Sequence, residues 1–290
     1  MAAVITIEAP AATVLVTGAT GNIGRELLTE LVAHGGNIRI RAATRDPAAA
    51  ALPDGVEPVR ADLQHAQSLK SALADATTLF LVSRVGADAE ILSLARQAGV
   101  EHVVLVSSIT VQTHPHLGPA LDNAAVERLL EDSGMAWTIL RPTQFASNTL
   151  WWADEIREHR AVRIPFADVG LPTVHPADIA RVARAALTEP GHRGQTYALT
   201  GPASITPRQQ VETIAAAVGH EVSVTEISRA QAREQLTPIA GPHTVEALLD
   251  VMGGDVNDEL LTVRDTVARI TGSPARTYRE WVLQNVSEFR

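Results

Sequence analysis

"VLVTGATGNIGRELL", residues Val14 to Leu28, is an apolar run that breaks into glycines and then resumes at helical spacing. Gly18, Gly21 and Gly24 fall directly after a strand-like segment and open a helix-like one. A diphosphate can approach a backbone closely only where side chains are missing, and the loop must also turn sharply. The helix that follows presents unpaired N–H groups and the positive end of its dipole to negative charge. Thr20 and Asn22 add side-chain donors. A bare glycine-rich turn is the alternative, and the strand–glycines–helix context favours a nucleotide over it.

Working outward, strand-like runs alternate with helical patterns through the first half of the chain, the pattern of a parallel sheet covered by helices on both faces. The spacing predicts strands at Thr13–Thr17, Ile38–Ala43, Val56–Arg60, Thr78–Val82, His102–Ser107 and Trp137–Leu140. It predicts helices near Ile23–His34, Gln67–Ala74, Ala87–Gln97 and Leu121–Asp132, several closed by glycines such as Gly35, Gly99 and Gly134. The expected fold is α/β, a Rossmann-type doubly wound parallel sheet with a smaller C-terminal α/β lobe. After "LRPTQF" the rhythm changes to a long amphipathic stretch, Ser147–His159, then short strands and helices, the last around Thr277–Ser287. A division follows into residues 1–150, binding the nucleotide, and 151–290, mainly a substrate lobe, with Pro176–Leu187 packing back on the first unit. "DPAAAALPDG", residues 46–55, reads as a loop.

Composition narrows the class. The 290 residues are 46% hydrophobic and 20% charged, enough apolar material for a sizeable core. A net charge of −9 without a basic run disfavours a nucleic-acid partner. The absence of cysteine removes disulfides, thiolate metal sites and cysteine nucleophiles, and fits a reducing compartment. "MAAVITIEAPAAT" has no basic region and carries Glu8 in its apolar stretch, so it does not read as a secretory signal. No apolar run reaches the length of a membrane span, and the expectation is a cytoplasmic protein. There is no metal-ligand spacing, since His114 and His116 lack carboxylates nearby, and no GxSxG elbow.

The end of the second strand decides which nucleotide is held: an acidic residue there suits a ribose 2′-hydroxyl and a basic one a 2′-phosphate. The sequence is "RAATRDP", and the Arg45 guanidinium matches phosphate through paired, charge-assisted bonds. NADP(H) is therefore expected over NAD(H), with Asp46 as a turn residue or the rival ribose ligand. In "ADL", Asp62 can meet an adenine amino group or close a turn.

At these residues the chain resembles the atypical short-chain dehydrogenase/reductase group, more narrowly the NmrA-like NAD(P)H-binding proteins and quinone oxidoreductases. The resemblance covers nearly the whole chain and rests on "VTGATGNIG", "ATRDP", "ADL", "LFLVS", "VVLVSS", "VERLLEDSGMAWTILRPTQFASN", "HPADIA" and "YALTGP". It implies a Rossmann domain carrying NADP(H) and a substrate cleft between that domain and a C-terminal lobe. It also implies a cofactor site lined by Gly18, Thr20, Gly21, Asn22, Ile23, Arg45, Asp62, Leu63, Val82, Ser83, Val106, Ser107 and Pro142. Phe145 and Asn148 would begin the cleft.

Short-chain reductases protonate the substrate oxygen with a tyrosine helped by a lysine four residues on. Counted back from Glu127 in "GPALDNAAVERLL", the lysine slot falls on Asn123 and the tyrosine slot on Pro119. Lys70 is the only lysine, and Tyr197 and Tyr278 are the only tyrosines. Three readings follow: hydride transfer to a quinone or other conjugated carbonyl that needs no strong acid, an NADP(H)-sensing regulator, or a biosynthetic tailoring enzyme. Polar candidates are Ser107 and Ser108 at a strand end, where ligands bind in such sheets, together with Asn123, Gln144, His114 and His116. The serines can equally satisfy loop backbone. "THPHLGP" looks like an exposed proline-rich loop.

Trp151 and Trp152 follow the cleft segment. Adjacent helical residues diverge by about 100°, so both cannot face one pocket equally. Asp178 in "HPADIA" reads as a helix cap. The expected partner is a small apolar or conjugated carbonyl substrate, with a homodimer left open.

Overall fold

The computed structural model describes residues 12–83 and 85–290. The reading of the N-terminal stretch as free of a secretory signal falls on residues 1–11, outside the described residues.

Seven parallel strands form the main sheet. β1 (Ala12–Val16), β2 (Ile38–Thr44), β3 (Val56–Arg60), β4 (Thr78–Val82), β5 (His102–Val106) and β6 (Ala136–Pro142) come from the first half. β7 (Ala161–Ile164) leaves this sheet, and β8 (Gln195–Leu199) returns to it. The order is β3-β2-β1-β4-β5-β6-β8. β1, β4 and β5 are buried almost throughout, as their continuous apolar runs require when helices cover both faces. Because the winding reverses between β1 and β4, a crevice opens beyond the carboxyl ends of those strands.

The helix Asn22–His34 buries Leu27, Leu28 and Leu31 on one face of the sheet, beside the helix Pro176–Thr188. On the other face lie Asp88–Gln97 and Gly118–Glu131, with Leu69 and Ala72 from two single turns, Ala66–Leu69 and Lys70–Leu73. The predicted Gln67–Ala74 helix is thus a 3-10 turn running into one α turn. The predicted Leu121–Asp132 helix begins earlier, at Gly118, where Pro119 supplies a φ already suited to a helix start.

The amphipathic stretch also divides, into a 3-10 helix Ala146–Trp152 and an α-helix Ala153–His159. The Thr149 hydroxyl, donating to the Ala146 carbonyl at 2.8 Å, supports the tighter winding.

A smaller lobe is built on the parallel pair β7 and β9 (Ser223–Glu226), packed with the helices Pro207–Val218 and Tyr278–Gln284 around Ile156, Val162, Ile214 and Trp281. A single cut after residue 150 does not separate the units. Gln195–Leu199 lies beyond it yet completes the main sheet beside β6, since the helix Pro176–Thr188 crosses the sheet face and returns the chain parallel.

From the lobe, residues 241–257 reach back across the carboxyl edge of the sheet as a short helix, Val245–Leu249, and a π turn, Asp250–Gly254. Three bonds tie this roof down. Gln144 Nε2 donates to the Val251 carbonyl at 3.0 Å, His114 Nε2 to the Asp255 carbonyl at 2.9 Å, and Asn257 Nδ2 to the Thr113 carbonyl at 2.9 Å.

Candidate active site

The glycine loop has the geometry that a phosphate cradle needs. Gly18 sits at φ +61°, and the Gly21 N–H donates to its carbonyl at 2.9 Å. A Cβ on Gly24 would lie 2.1 Å from that same carbonyl oxygen, so the helix packs against the loop at a distance that only glycine permits. Thr20, Gly21 and Asn22 are exposed, and Ile23 is buried beneath them. The first N–H groups of the helix have no partner within it and can hold a diphosphate. The Thr17 hydroxyl donates to the Phe80 carbonyl at 2.8 Å and locks β1 to β4 at the crevice.

The predicted nucleotide contacts Arg45, Asp62 and Leu63, and Asp46 beside the first, differ in what they already do. Arg45 is exposed at the end of β2. Asp46 closes its own loop, Oδ1 accepting from the Ala48 and Ala49 N–H groups at 3.2 and 3.4 Å. Asp62 likewise forms a turn, accepting from Gln64 N at 3.1 Å and lying 3.0 Å from His65 Nδ1, and the His65 bond holds its carboxyl below the usual range. Leu63 next to it accepts the Ala87 N–H at 3.0 Å, and a Cβ on Gly86 would come within 2.0 Å of that carbonyl oxygen. Gly86 was not singled out in the sequence, although its lone place in "SRVGADA" after a strand was the available signal.

Two adjoining cavities lie at the carboxyl ends of β4, β5 and β6. One, of about 320 Å³, is lined by Val82, Ser83, Val106, Ser107, Pro119 and Asn123. The other, of about 290 Å³, is lined by Pro142, Gln144, Phe145, Asn148, Trp151, Trp152 and the lobe residues Leu171, Ile205 and Met252. Ser107, Ser108, Thr110, Phe145, Leu248 and Val251 border both. Among the described residues, no charged side chain lines either cavity.

The two serines part company here, as successive side chains of an extended chain must. Ser108 Oγ accepts from the Thr110 N–H at 3.2 Å and from its hydroxyl at 2.9 Å, a turn role. Ser107 Oγ is buried without a hydrogen-bond partner, while its backbone N–H is held by the Leu140 carbonyl at 2.8 Å. A buried polar atom left unpaired costs free energy; the residue borders both cavities while its Oγ is covered, so a rotation of the side chain is what brings this hydroxyl to a ligand. Ser83 Oγ lies 2.7 Å from Asn123 Oδ1 and 2.9 Å from the Val106 carbonyl, and its one proton serves one of these at a time. Asn123 Nδ2 donates to the Pro119 carbonyl at 3.0 Å.

Pro119 and Asn123, the positions counted for a tyrosine and a lysine, thus both face the first cavity. Both tyrosines lie elsewhere: Tyr197 Oη is 2.9 Å from His192 Nδ1, and Tyr278 Oη donates to Thr149 at 2.9 Å, with burial pushing its hydroxyl pKa upward. Lys70 is exposed beyond β3.

His114 requires correction. It is 1% exposed and borders neither cavity, because its ring is needed to hold the Asp255 carbonyl and the Thr113 hydroxyl, the latter at 2.8 Å. His116 is exposed. Both tryptophans border the second cavity, with Trp151 47% exposed and Trp152 packed against the lobe core. The helix cap assigned to Asp178 belongs to His175, whose Nδ1 accepts from the Ala177 N–H at 3.0 Å. Asp178 is fully buried, accepts the Arg276 N–H at 2.6 Å and pairs with Arg181 at 3.2 Å, and burial raises its pKa.

The roof residues Leu248, Val251 and Met252 were missed, and only the apolar spacing of "VEALLDVMGG" pointed to them. Among the described residues, no group of three or more acidic or histidine side chains is placed to hold a metal ion, and no helix is long and apolar enough to cross a membrane.

The model of an NAD(P)H-binding family matches residues 18–190. The chain is 35% identical over 281 residues to (4-alkanoyl-5-oxo-2,5-dihydrofuran-3-yl)methyl phosphate reductase of Streptomyces griseus, covering 95% of this chain and 99% of the relative. It is 31% identical over 284 residues to an NAD(P)H azoreductase of Xenophilus azovorans, covering 95% and 99%. The solved structure of an NADPH-dependent quinone oxidoreductase from Escherichia coli, complexed with NADPH, superposes with a TM-score of 0.76 at 28% identity, covering 94% of this chain and 98% of the other.

Proposed function

Given that the chain belongs to the NAD(P)H-binding family, as an oxidoreductase within it, we propose that it is an NADPH-dependent reductase. Its acceptor is a quinone or another uncharged conjugated carbonyl, reduced without a tyrosine–lysine pair. The observation that carries this reading is the pair of uncharged cavities meeting at Ser107, whose hydroxyl has no protein partner.

When bound, NADPH supplies the hydride. The bare loop at Gly18, Gly21 and Gly24 and the start of the helix Asn22–His34 hold its diphosphate, and Arg45 takes the 2′-phosphate while Asp46 stays in its own turn. Val82, Ser83, Val106 and Asn123 form the nicotinamide end. Phe145, Asn148 and the tryptophans form the acceptor side. Rotated out of its covered position, Ser107 Oγ–H donates to the acceptor oxygen. A conjugated acceptor yields a weakly basic oxygen on reduction, so a hydroxyl donor suffices where an isolated ketone needs a stronger acid. The roof Leu248–Met252 excludes water above both. A relative named as a quinone oxidoreductase supports an acceptor of this kind, and one named as an azoreductase supports conjugated acceptors more broadly.

The test is loss of NADPH absorbance with purified protein against a panel of quinones, enones and simple ketones, with NADH in parallel. Consumption with quinones or enones and a preference for NADPH is the expected result. Cofactor binding without consumption by any acceptor overturns the reading in favour of a regulator, and a preference for NADH removes the role given to Arg45.

A further inference from the structure

The acceptor cavity has an annex. Trp151, Trp152 and Met252 border the 290 Å³ cavity on one side and, on the other, a separate space of about 40 Å³. Its far wall is apolar, formed by Ile227, Leu236 and Ile239. At 47% and 61% exposure, Trp151 and Ile239 carry that apolar lining out to the surface. Two polar side chains touch the annex, Arg163 and Gln235, and Gln235 Nε2 donates to the Arg163 carbonyl at 3.4 Å. Met252, unbranched and with three rotatable bonds, is the member of the shared wall able to move aside.

We propose that the annex receives an apolar arm of the acceptor, so that the preferred substrate is an uncharged conjugated ring carrying a short alkyl or prenyl chain. This rests on the reductase reading above. The ring lies in the larger cavity against Phe145 and Ser107, and the arm passes Met252 between the tryptophans toward Ile239. A water-sized group needs about 10–15 Å³ of such space, so the annex holds about three carbon atoms. Burying each carbon is worth about fourfold in affinity, the fold-change equivalent of about 0.8 kcal/mol per methylene. The gain should therefore rise over about the first three carbons and then level off as a longer chain emerges into water.

The experiment compares kcat/KM with NADPH for one naphthoquinone ring bearing no chain, a propyl, a prenyl or a geranyl chain, or a propyl chain ended by a carboxylate. The expected result is a rise of at least about tenfold to the propyl compound and a plateau beyond it. Ile239→Asp, at a position 61% exposed, should cut the chained-to-unchained ratio several-fold. A flat series overturns the annex, as does a gain found only with the carboxylate, which would give the space to Arg163. If no member is reduced, the reductase reading falls and quenching of tryptophan fluorescence by the same compounds decides separately: affinity that grows with the chain upholds the annex, and equal affinity overturns it.

Discussion

Acidification from about pH 7.5 to about pH 5 should cost the fold about 4 kcal/mol at two buried histidines. His175 caps the helix Pro176–Thr188 with Nδ1 and places Nε2 3.2 Å from Gln284 Oε1, where it donates. The residue is 1% exposed. Burial first, and then the Arg276 guanidinium, push its pKa down to about 4, against the smaller opposing effects of the Gln284 bond and Glu280. His102, on β5, has Nε2 3.0 Å from Thr138 Oγ1, whose own proton goes to the His192 carbonyl at 2.8 Å. Burial, with Arg193 and His192 adding to it, pushes that ring to about 4 as well.

Both rings are neutral in the folded chain, whereas each titrates near 6.5 once unfolded. Protons therefore bind preferentially to the unfolded chain in the window between. Stability is complete above about pH 6.5 and is lost as pH falls toward about 4. At about pH 5 an unfolded histidine is almost fully protonated and a folded one only about one-tenth, a difference of about 2 kcal/mol for each ring. Against a total of about 5–15 kcal/mol this is a large fraction.

The assay is the urea midpoint, followed by far-UV circular dichroism from about pH 7.5 to about pH 5, for the wild type and for His175→Asn. Asparagine keeps an acceptor for the helix start and does not titrate. The variant should lose about half of the pH dependence. An unchanged slope in His175→Asn, or a midpoint that does not fall across this range, would refute the assignment of a neutral buried ring.

Four further outcomes follow from the site and its supports. Arg45→Ala should raise the KM for NADPH by about 10- to 100-fold, the equivalent of about 1.5–3 kcal/mol for bonds to a charged group, with the KM for NADH unchanged in steady-state kinetics. Ser107→Ala removes no protein–protein bond, so thermal unfolding should shift little, while kcat with a quinone falls about tenfold. Gly24→Ala drives a methyl group against the Gly18 carbonyl and should cost about 1–3 kcal/mol of stability and weaken NADPH in a fluorescence titration; Gly21→Ala, with 3.2 Å to the same oxygen, should be milder. Arg141→Met leaves the Glu127 carboxylate, 5% exposed, without its two bonds at 2.6 and 3.0 Å. The melting point should then drop by the equivalent of about 3–5 kcal/mol and recover in part when Glu127→Gln is added.

What was legible in the sequence was what is local. The sharp glycine loop is made by consecutive residues, so Gly18, Gly21 and Gly24 disclose its turn and its close packing before any tertiary contact is known, and strands buried on both faces announce themselves as apolar runs. Ser107 and Ser108 lie midway. Thr110 stands two residues after Ser108, the spacing that engages a serine in its own turn, but nothing nearby reveals that Ser107 is left unpartnered.

His114 and the roof were illegible for a single reason. The prolines and polar residues of "THPHLGP" describe a surface loop, and that is what they would form had residues 241–257 not folded back over them. The carbonyl that His114 holds belongs to Asp255, and the residues that close both cavities, Leu248 and Val251, sit in the same returning segment. One long-range event thus turns a histidine from candidate proton donor into fastening and supplies the apolar cover. His114→Ala should accordingly act through the roof. It should raise the KM for the acceptor more than it lowers kcat, and hydrogen exchange should rise at the amides of residues 245–257. Loss of kcat alone, with that exchange unchanged, would return His114 to the chemistry.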